Sequence, residues 1–191
     1  MNSENEYFRY LSKRSKRGLI YRNNFLYRKI SNRLNGRCLD FGCGIGDMLA
    51  YRSNTIGVDI NKENVGYCKS IGLECYQIED GTAPFDDESF DSILLDNVLE
   101  HVVDPKSVIR EAYRLCKFGG TFVIGVPGIK GFQADPDHKI FYDENILQQI
   151  LETSGFSTKL FFYTPLFKSH FLSRKLRQYC IYAVAIKTGI Y

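Results

Sequence analysis

The stretch Leu39-Asp40-Phe41-Gly42-Cys43-Gly44-Ile45-Gly46 places a short apolar segment directly before a glycine-rich turn. A strand that leads through such a turn into a helix is typical of nucleotide-binding folds, because backbone N–H groups at the helix start attract polar ligand groups. Glycine permits positive φ and lets a ligand approach the main chain closely. Because glycine-rich turns are common, this stretch alone predicts only a ligand of the nucleotide type.

Short apolar segments alternate with helical patterns after residue 37, which predicts a mostly parallel sheet. Asp104 followed by Pro105 predicts a helix start, Gly119-Gly120 the end of that helix, and Asp143 the start of another. Residues 6–35 have the pattern of one or two basic amphipathic helices that cover the sheet. The strands are expected at residues 37–41, 55–60, 74–79, 89–96, 121–126, 156–163 and 180–187.

Acidic residues close the second and third predicted strands. Asp59 lies where a carboxylate can accept hydrogen bonds from both hydroxyls of a ribose, although it could also act as a helix N-cap. Glu79 and Asp80 end the next strand, where they could reach the edge of an adenine. The alternative for Asp80-Gly81 is an ordinary turn.

Four ordered motifs resemble those of class I S-adenosylmethionine-dependent methyltransferases. They are the glycine stretch, Gly57-Val58-Asp59, Ala83-Pro84-Phe85-x4-Phe90-Asp91 and Asn97-Val98-Leu99-Glu100-His101-Val102. The resemblance covers residues 37–160 and implies a Rossmann-like α/β fold, with a seven-stranded sheet whose last strand is antiparallel. It also implies S-adenosylmethionine as the cofactor, bound by Asp40, Gly42, Cys43, Gly44, Gly46, Asp59, Ile60, Glu79, Asp80, Asp96, Asn97 and Val98.

Dehydrogenases are the natural alternative for a glycine loop of this kind. Their G-x-G-x-x-G pattern would require glycine at position 47, where this chain has Asp47, and the third glycine comes one residue earlier, at Gly46. A dehydrogenase would also leave the segment Asn97–His101 unexplained. The spacing therefore favours a methyltransferase.

The chain has three histidines, and a hydroxyl acceptor of a methyl group benefits from a general base. His138, in a polar loop with neighbouring carboxylates, is the leading candidate for that base; the alternative is a purely structural role. His101 is the second candidate, or else a residue that lines the pocket. The side chains expected near the acceptor are Arg14, Arg17, Tyr21, Asp137 and Tyr142.

No required metal is predicted. Some methyltransferases carry E-x-x-E-H at the fourth motif, but here Asn97 replaces the first glutamate, which weakens a magnesium site. The six cysteines contain no C-x-x-C pair, so reduced, mostly buried thiols are expected rather than a zinc site or disulfides. A D/N-P-P-F/Y motif is also missing from the sequence, which argues against methylation of base or amide nitrogens.

The composition and the charge distribution of the chain bear on its location and its binding partners. The chain is 44% hydrophobic with a net charge of +3, and it contains neither a signal peptide nor a transmembrane run, so a cytoplasmic protein is expected. Two basic ends flank an acidic middle; they could lie against that middle or bind an anionic acceptor or a membrane surface. We expect residues 1–36 to form a basic helical extension that acts as an acceptor lid, and residues 37–191 to form the cofactor-binding domain.

The predicted function is O-methylation of a small anionic or sugar-containing acceptor. The whole chain is similar to small stand-alone methyltransferases of bacterial surface-polysaccharide synthesis, and its aromatic and basic segments suit sugars and phosphates. One alternative is an RNA-modifying methyltransferase, although no RNA-recognition signature is present and nucleic acid is the less favoured partner. Another is a non-catalytic, cofactor-binding regulatory module. Contact with a lipid-linked substrate or a membrane surface also stays open.

Overall fold

The protein is described by a computed structural model that covers residues 16–189. Its centre is one seven-stranded sheet with the order β3-β2-β1-β4-β5-β7-β6, in which β7 runs antiparallel to both β5 and β6. This architecture confirms the predicted α/β fold and its antiparallel last strand. The strands are β1 (Cys38–Phe41), β2 (Thr55–Asp59), β3 (Cys75–Gln77), β4 (Phe90–Asp96), β5 (Cys116–Pro127), β6 (Phe156–Thr164) and β7 (Cys180–Lys187).

Helices connect the strands and cover both faces of the sheet. No helix in the described part of the chain is long and apolar enough to cross a bilayer. A 3₁₀ turn, Leu99–His101, follows β4, and a π-helical turn, Arg22–Leu26, joins the first two helices. The α-helices are α1 (Lys16–Tyr21), α2 (Tyr27–Ser31), α3 (Asp47–Tyr51), α4 (Lys62–Ser70), α5 (Pro105–Leu115), α6 (Ile129–Gln133), α7 (Glu144–Glu152) and α8 (His170–Lys175).

The predicted starts of α5 and α7 are confirmed. The Asp104 side chain accepts a hydrogen bond from the Lys106 N–H, and the Asp143 side chain accepts one from the Ile146 N–H. The predicted end of α5 at Gly119-Gly120 is wrong, since the helix stops at Leu115 and β5 begins at the next residue. Cys116 pairs with Phe90 of β4, and this pairing extends the strand through a segment whose local pattern favoured a helix.

The N-terminal helices cover one face of the sheet. Leu26, Tyr27 and Ile30 are buried against side chains of β4, β5, β6 and β7, and the Arg33 guanidinium lies 3.9 Å from the centre of the Phe162 ring. The predicted cover is therefore present over its described part, while residues 6–15 of that prediction lie outside the described residues. The boundary at residues 36 and 37 stays a prediction, as does the role of the cover as a lid.

Candidate active site

A cleft of about 760 Å³ opens at the edge of the sheet where β1, β2 and β4 end. In an open parallel sheet, this carboxyl edge is where ligands bind. The cleft brings together residues that the sequence assigned to cofactor binding, the candidate base His101, and Asp137, which was assigned to the acceptor side. Its lining comprises Phe41, Gly42, Asp59, Ile60, Asn61, Ile78, Asn97, Val98, His101, Val102, Val108, Ala134, Asp135, Pro136, Asp137 and Arg177.

The glycine loop forms one wall of this cleft. Gly42 has φ +83°, and its N–H donates to the Val58 carbonyl over 2.8 Å. A Cβ atom at Gly42 would lie only 2.5 Å from Cγ2 of Val98, so a side chain there would clash with Val98. The positive φ would also strain any residue other than glycine. Glycine at this position keeps the main chain of the loop close to the cleft. Gly46, at φ +79°, is the residue that precedes α3.

Asp59 is a cleft carboxylate that two backbone hydrogen bonds hold in place. Its Oδ2 accepts a hydrogen bond from the Gly44 N–H and its Oδ1 one from the Asn61 N–H, each over 2.8 Å. Burial raises the pKa of Asp59, and these two backbone bonds oppose the increase. A carboxylate has about four acceptor positions, so Asp59 can accept further hydrogen bonds from a ligand. The Asn61 side chain, rather than Asp59, caps α4.

The end of β4 is held by hydrogen bonds from two directions. Asp96 Oδ1 accepts from the Tyr182 hydroxyl and from the Asn97 side-chain amide, both over 2.8 Å. Asn97 has φ +55°, a left-handed conformation that asparagine tolerates better than most residues. The result is a turn that directs Val98 into the lining of the cleft. Sequence reasoning did not select Tyr182, because its contact with Asp96 joins distant strands.

The other residues assigned to the cofactor occupy different environments. Asp40 is buried, and its pKa is raised by burial and by the neighbouring carboxylates of Asp96 and Asp59. Glu79 and Asp80 are exposed at a turn, and neither is in the cleft lining, to which the third strand region contributes Ile78. The assignment of these residues to the cofactor stays a prediction.

The two histidines predicted as bases lie together but face different surroundings. His101 is part of the cleft lining, whereas His138 is not; the centres of their rings are 4.6 Å apart. His138 Nδ1 lies 2.8 Å from the Phe132 carbonyl oxygen. Since a carbonyl only accepts, Nδ1 carries the proton of the neutral ring and Nε2 presents a lone pair. Burial and the neighbouring His138 lower the pKa of His101.

Glu100 is a buried carboxyl group that sequence reasoning mentioned only as part of a motif. Only 1% of its side chain is exposed, and neither carboxyl oxygen has a hydrogen-bond partner among residues 16–189. His138 Nε2 lies 3.8 Å from its Oε1. Burial raises the pKa of Glu100 to about 8, so the protonated form predominates at neutral pH. A buried position cannot be inferred for a glutamate from its local sequence, which explains why it was overlooked.

The acceptor-side residues are dispersed. Asp137 lines the cleft and is exposed, while Tyr142 is buried and its pKa is raised to about 12 by burial and by Glu100. Tyr21 stacks on Phe25, with the ring centres 5.6 Å apart. Arg17 lies in α1, and Arg14 lies outside the described residues.

Two groups of side chains have the arrangement of metal ligands. Glu100, His101 and His138 each offer one ligand atom, and these atoms lie within 4.8 Å of one another. The thiols of Cys43, Cys68 and Cys75 meet the same criterion. The expectation that no metal is required stays a prediction.

Comparisons with known proteins relate part of the chain to methyltransferases. Residues 39–124 match the family described as "Methyltransferase domain". The chain is 34% identical over 117 residues to the ubiquinone/menaquinone biosynthesis C-methyltransferase UbiE of Geotalea daltonii, with 52% of this chain and 49% of the relative covered. It is 38% identical over 91 residues to an uncharacterized protein of Methanocaldococcus jannaschii, with 48% and 44% covered. The chain thus spans about half the length of the curated relatives it matches.

The fold has similar solved structures. A SAM-dependent methyltransferase from Thermotoga maritima superimposes with a TM-score of 0.76 at 21% identity, and the match covers 95% of this chain and 98% of that one. At this level of identity the likeness shows the shared fold. The glycine loop and the strand that ends in Asp59 both lie within the matched family segment.

Proposed function

We propose that this chain, which carries a class I S-adenosylmethionine-dependent methyltransferase domain, catalyses transfer of a methyl group to a hydroxyl oxygen of a small acceptor. The observation that carries the proposal is the position of His101, a neutral base, in the same cleft as Gly42 and Asp59. A cofactor and an acceptor bound in this cleft would lie next to each other. Alignment of the two reactants and exclusion of water are the main requirements for such a transfer.

The cleft residues fit the cofactor. S-adenosylmethionine supplies an electrophilic methyl group on a positively charged sulfur. Asp59 keeps acceptor capacity for ribose hydroxyls, and the missing side chain of Gly42 leaves the loop backbone open to the ligand. Asp40 and Asp96 add carboxyl groups near the same edge, which suits a ligand that carries positive charge. Ile60 and Ile78 add apolar surface for an aromatic base.

His101 is the residue that would receive the proton of the acceptor. Its lowered pKa keeps the ring neutral at neutral pH, and a neutral imidazole can accept the proton that a hydroxyl loses as its oxygen is methylated. The ring of His138 packs against that of His101, and Glu100 lies 3.8 Å from His138 Nε2, so His138 would fix the orientation of the His101 ring. His138 is accordingly assigned a positioning role, in place of the role as base that the sequence favoured.

The cleft lining holds three carboxylates and the guanidinium of Arg177, so an anionic group of an acceptor is expected to lie at Arg177. Arg177 supplies a cationic side chain to the lining, and guanidinium groups bind carboxylates and phosphates in paired hydrogen bonds. Asp135 and Asp137 lie in the same lining and could accept hydrogen bonds from sugar hydroxyls. A sugar phosphate or sugar acid combines both features. The name of the Geotalea relative indicates C-methylation in quinone synthesis, so quinols belong in any acceptor screen.

The proposal is tested by transfer of labelled methyl groups from S-adenosylmethionine to sugar phosphates, sugar acids, quinols and RNA. We expect an O-methylated product, and we expect His101→Ala to lower the turnover rate about 100-fold, because a general base typically contributes that much or more. His170→Ala, a change of an exposed histidine, is the matched control. S-adenosylhomocysteine affinity, measured by calorimetry, should be the same in all three proteins.

Three results would contradict parts of this function. Failure of the wild type to bind S-adenosylhomocysteine would remove the cofactor assignment. Methylation of carbon or nitrogen instead of oxygen would remove the acceptor assignment. Loss of activity with a chelator and its recovery with a divalent cation would show that Glu100, His101 and His138 act as metal ligands rather than as a base and its supports.

A further inference from the structure

Three cysteines from separate elements converge beneath the glycine loop. Cys43 belongs to the loop, Cys68 to α4 and Cys75 to the start of β3. The Sγ atoms of Cys43 and Cys75 are 3.4 Å apart, and all three sulfur atoms lie within 4.8 Å of one another. Cys43 lies 25 residues before Cys68, which lies 7 residues before Cys75, and no C-x-x-C pair links them, so local spacing does not reveal the group.

The backbone around this group leaves room for sulfur atoms. A Cβ atom on Gly57 would lie 2.6 Å from the Cys43 sulfur, and one on Gly46 would lie 2.9 Å from the Cys68 sulfur. Both distances are too short for real contacts. Glycine at these two positions therefore permits the thiols to approach one another, and Cys68 and Cys75 are fully buried there.

A backbone carbonyl oxygen lies next to two of the thiols. The Gly44 carbonyl oxygen is 3.5 Å from the Cys68 sulfur and 3.8 Å from the Cys43 sulfur. Zinc binds thiolates at about 2.3 Å and oxygen at about 2.0–2.2 Å in tetrahedral geometry, which places sulfur atoms about 3.8 Å apart and sulfur about 3.6 Å from oxygen. The Cys43–Cys75 distance of 3.4 Å and the two distances to the Gly44 oxygen are within about 0.4 Å of those values.

We propose that Cys43, Cys68 and Cys75 bind a zinc ion, with the Gly44 carbonyl as the fourth ligand. A disulfide between Cys43 and Cys75 would use only two of the three thiols and would give the carbonyl no role, so zinc accounts for more of the arrangement. This inference departs from the expectation of no zinc site, which rested on local spacing. It does not depend on the identity of the methyl acceptor.

The proposed ion would connect the cysteine group to the cofactor site. The carbonyl of Gly44 would bind zinc while the N–H of the same residue donates to Asp59. Zinc would thus hold the glycine loop, α4 and β3 together next to the carboxylate assigned to the ribose. Metal binding that occurs only in the folded chain also stabilises the fold.

Zinc titration of the tag-free, reduced and chelator-treated protein tests the proposal, with a coloured zinc indicator as competitor. We expect one zinc ion per chain, and an affinity lowered more than about 100-fold in Cys75→Ser, since loss of a direct ligand exceeds the tenfold to hundredfold effect of an outer partner. Cys116→Ser changes a buried cysteine outside the group and should bind zinc as the wild type does. His101→Ala should also leave zinc binding unchanged, which separates this site from the histidine group.

A second measurement on the wild-type protein covers the case in which Cys75→Ser does not fold. Zinc should protect Cys43 from alkylation, as read by peptide mass spectrometry, and removal of zinc should restore its reaction. Cobalt(II) in place of zinc should give the near-ultraviolet absorption of cobalt–thiolate bonds. The proposal is overturned if the reduced wild type binds no stoichiometric zinc, if Cys75→Ser binds it equally well, or if Cys43 is alkylated equally with and without zinc.

Discussion

Burial raises the pKa of two carboxyl groups near the carboxyl edge of the sheet, Asp59 and Glu100, but their hydrogen bonds differ. Asp59 accepts two backbone hydrogen bonds of 2.8 Å, whereas both oxygens of Glu100 have no such partner among residues 16–189. The backbone bonds of Asp59 favour its ionised form, while burial holds Glu100 in its protonated form at neutral pH. We call the part of the cleft around Gly42 and Asp59 the ordered half, and the part around His101, with His138 and Glu100 behind it, the proton-exchanging half.

The largest expected effect comes from removal of the ordered carboxylate. Asp59→Ala should weaken S-adenosylhomocysteine binding by about 100-fold or more, which corresponds to about 3 kcal/mol, because it deletes ligand contacts and leaves the Gly44 and Asn61 N–H groups without their acceptor. Isothermal titration calorimetry measures this change. Asp86→Ala, a change of an exposed aspartate outside the cleft lining, is the control and should bind almost normally. Equal affinity of the wild type and Asp59→Ala for S-adenosylhomocysteine would mean that the cofactor does not bind at the ordered half.

Glu100 should give the fold a distinctive dependence on pH. Its pKa is about 8 in the folded chain against an ordinary value of 4.5, so between these values the folded state holds a proton that the unfolded state has lost. The stabilisation of the fold by this proton on Glu100 is complete below pH 4.5 and is lost as the pH rises toward 8. Between about pH 5 and 7, the wild type should lose up to about 1.4 kcal/mol per pH unit more unfolding free energy than Glu100→Gln.

Urea unfolding at several pH values measures this difference. Glu63→Gln, which removes an exposed carboxyl group at the start of α4, is the control and should follow the wild-type curve. Parallel curves for the wild type and Glu100→Gln would show that Glu100 is ionised in the folded protein, and the contrast with Asp59 would disappear.

Asp96 is a third carboxylate at this edge of the sheet. A variant at its partner Tyr182 asks whether Asp96 belongs to the ordered half. Tyr182→Phe removes the buried hydroxyl that donates to Asp96 over 2.8 Å and should lower the free energy of unfolding by about 1.5 kcal/mol. Chemical denaturation checks this value, with Tyr51→Phe, at a partly exposed tyrosine, as the control. If Tyr182→Phe also weakens S-adenosylhomocysteine binding several-fold, Asp96 belongs with Asp59 rather than with Glu100.

The smallest expected effect concerns apolar surface in the ordered half. Ile60 lines the cleft although 73% of it is exposed, so a bound cofactor would cover it. Ile60→Ala should weaken S-adenosylhomocysteine binding about fivefold, close to 1 kcal/mol of lost apolar contact. Ile71→Ala, a change of an exposed isoleucine outside the cleft lining, is the comparison. The prediction fails if both variants bind like the wild type.

The two halves also differ in how far the sequence predicts them. The ordered half depends on local features: a strand, a glycine turn and a carboxylate at the end of the next strand, and the predicted β1 and β2 were close to their observed bounds. The proton-exchanging half depends on contacts between distant segments. The packing of His138 against His101, and the burial of Glu100, arise from the approach of the loop after β5 to the turn after β4.

The same distinction explains which secondary-structure predictions succeeded. The caps at Asp104 and Asp143 are confirmed because a cap is an interaction with the next two or three residues. The end of α5 was wrong because Cys116 pairs with a strand 26 residues earlier in the chain, at Phe90. Convergence of Cys43, Cys68 and Cys75 is also non-local, and no spacing rule could have anticipated it.

The position of β7 has a consequence for the order in which the sheet is assembled during translation. β6 is synthesised before β7, yet in the sheet its single neighbour is β7, which lies between β6 and β5. β6 therefore has no place in the sheet until β7 has left the ribosome, and the edge of β5 stays unpaired for the same period. This side of the sheet can be completed only after β7 has been synthesised, and a nascent chain stalled before residue 180 would expose two unpaired strands to aggregation or to chaperones.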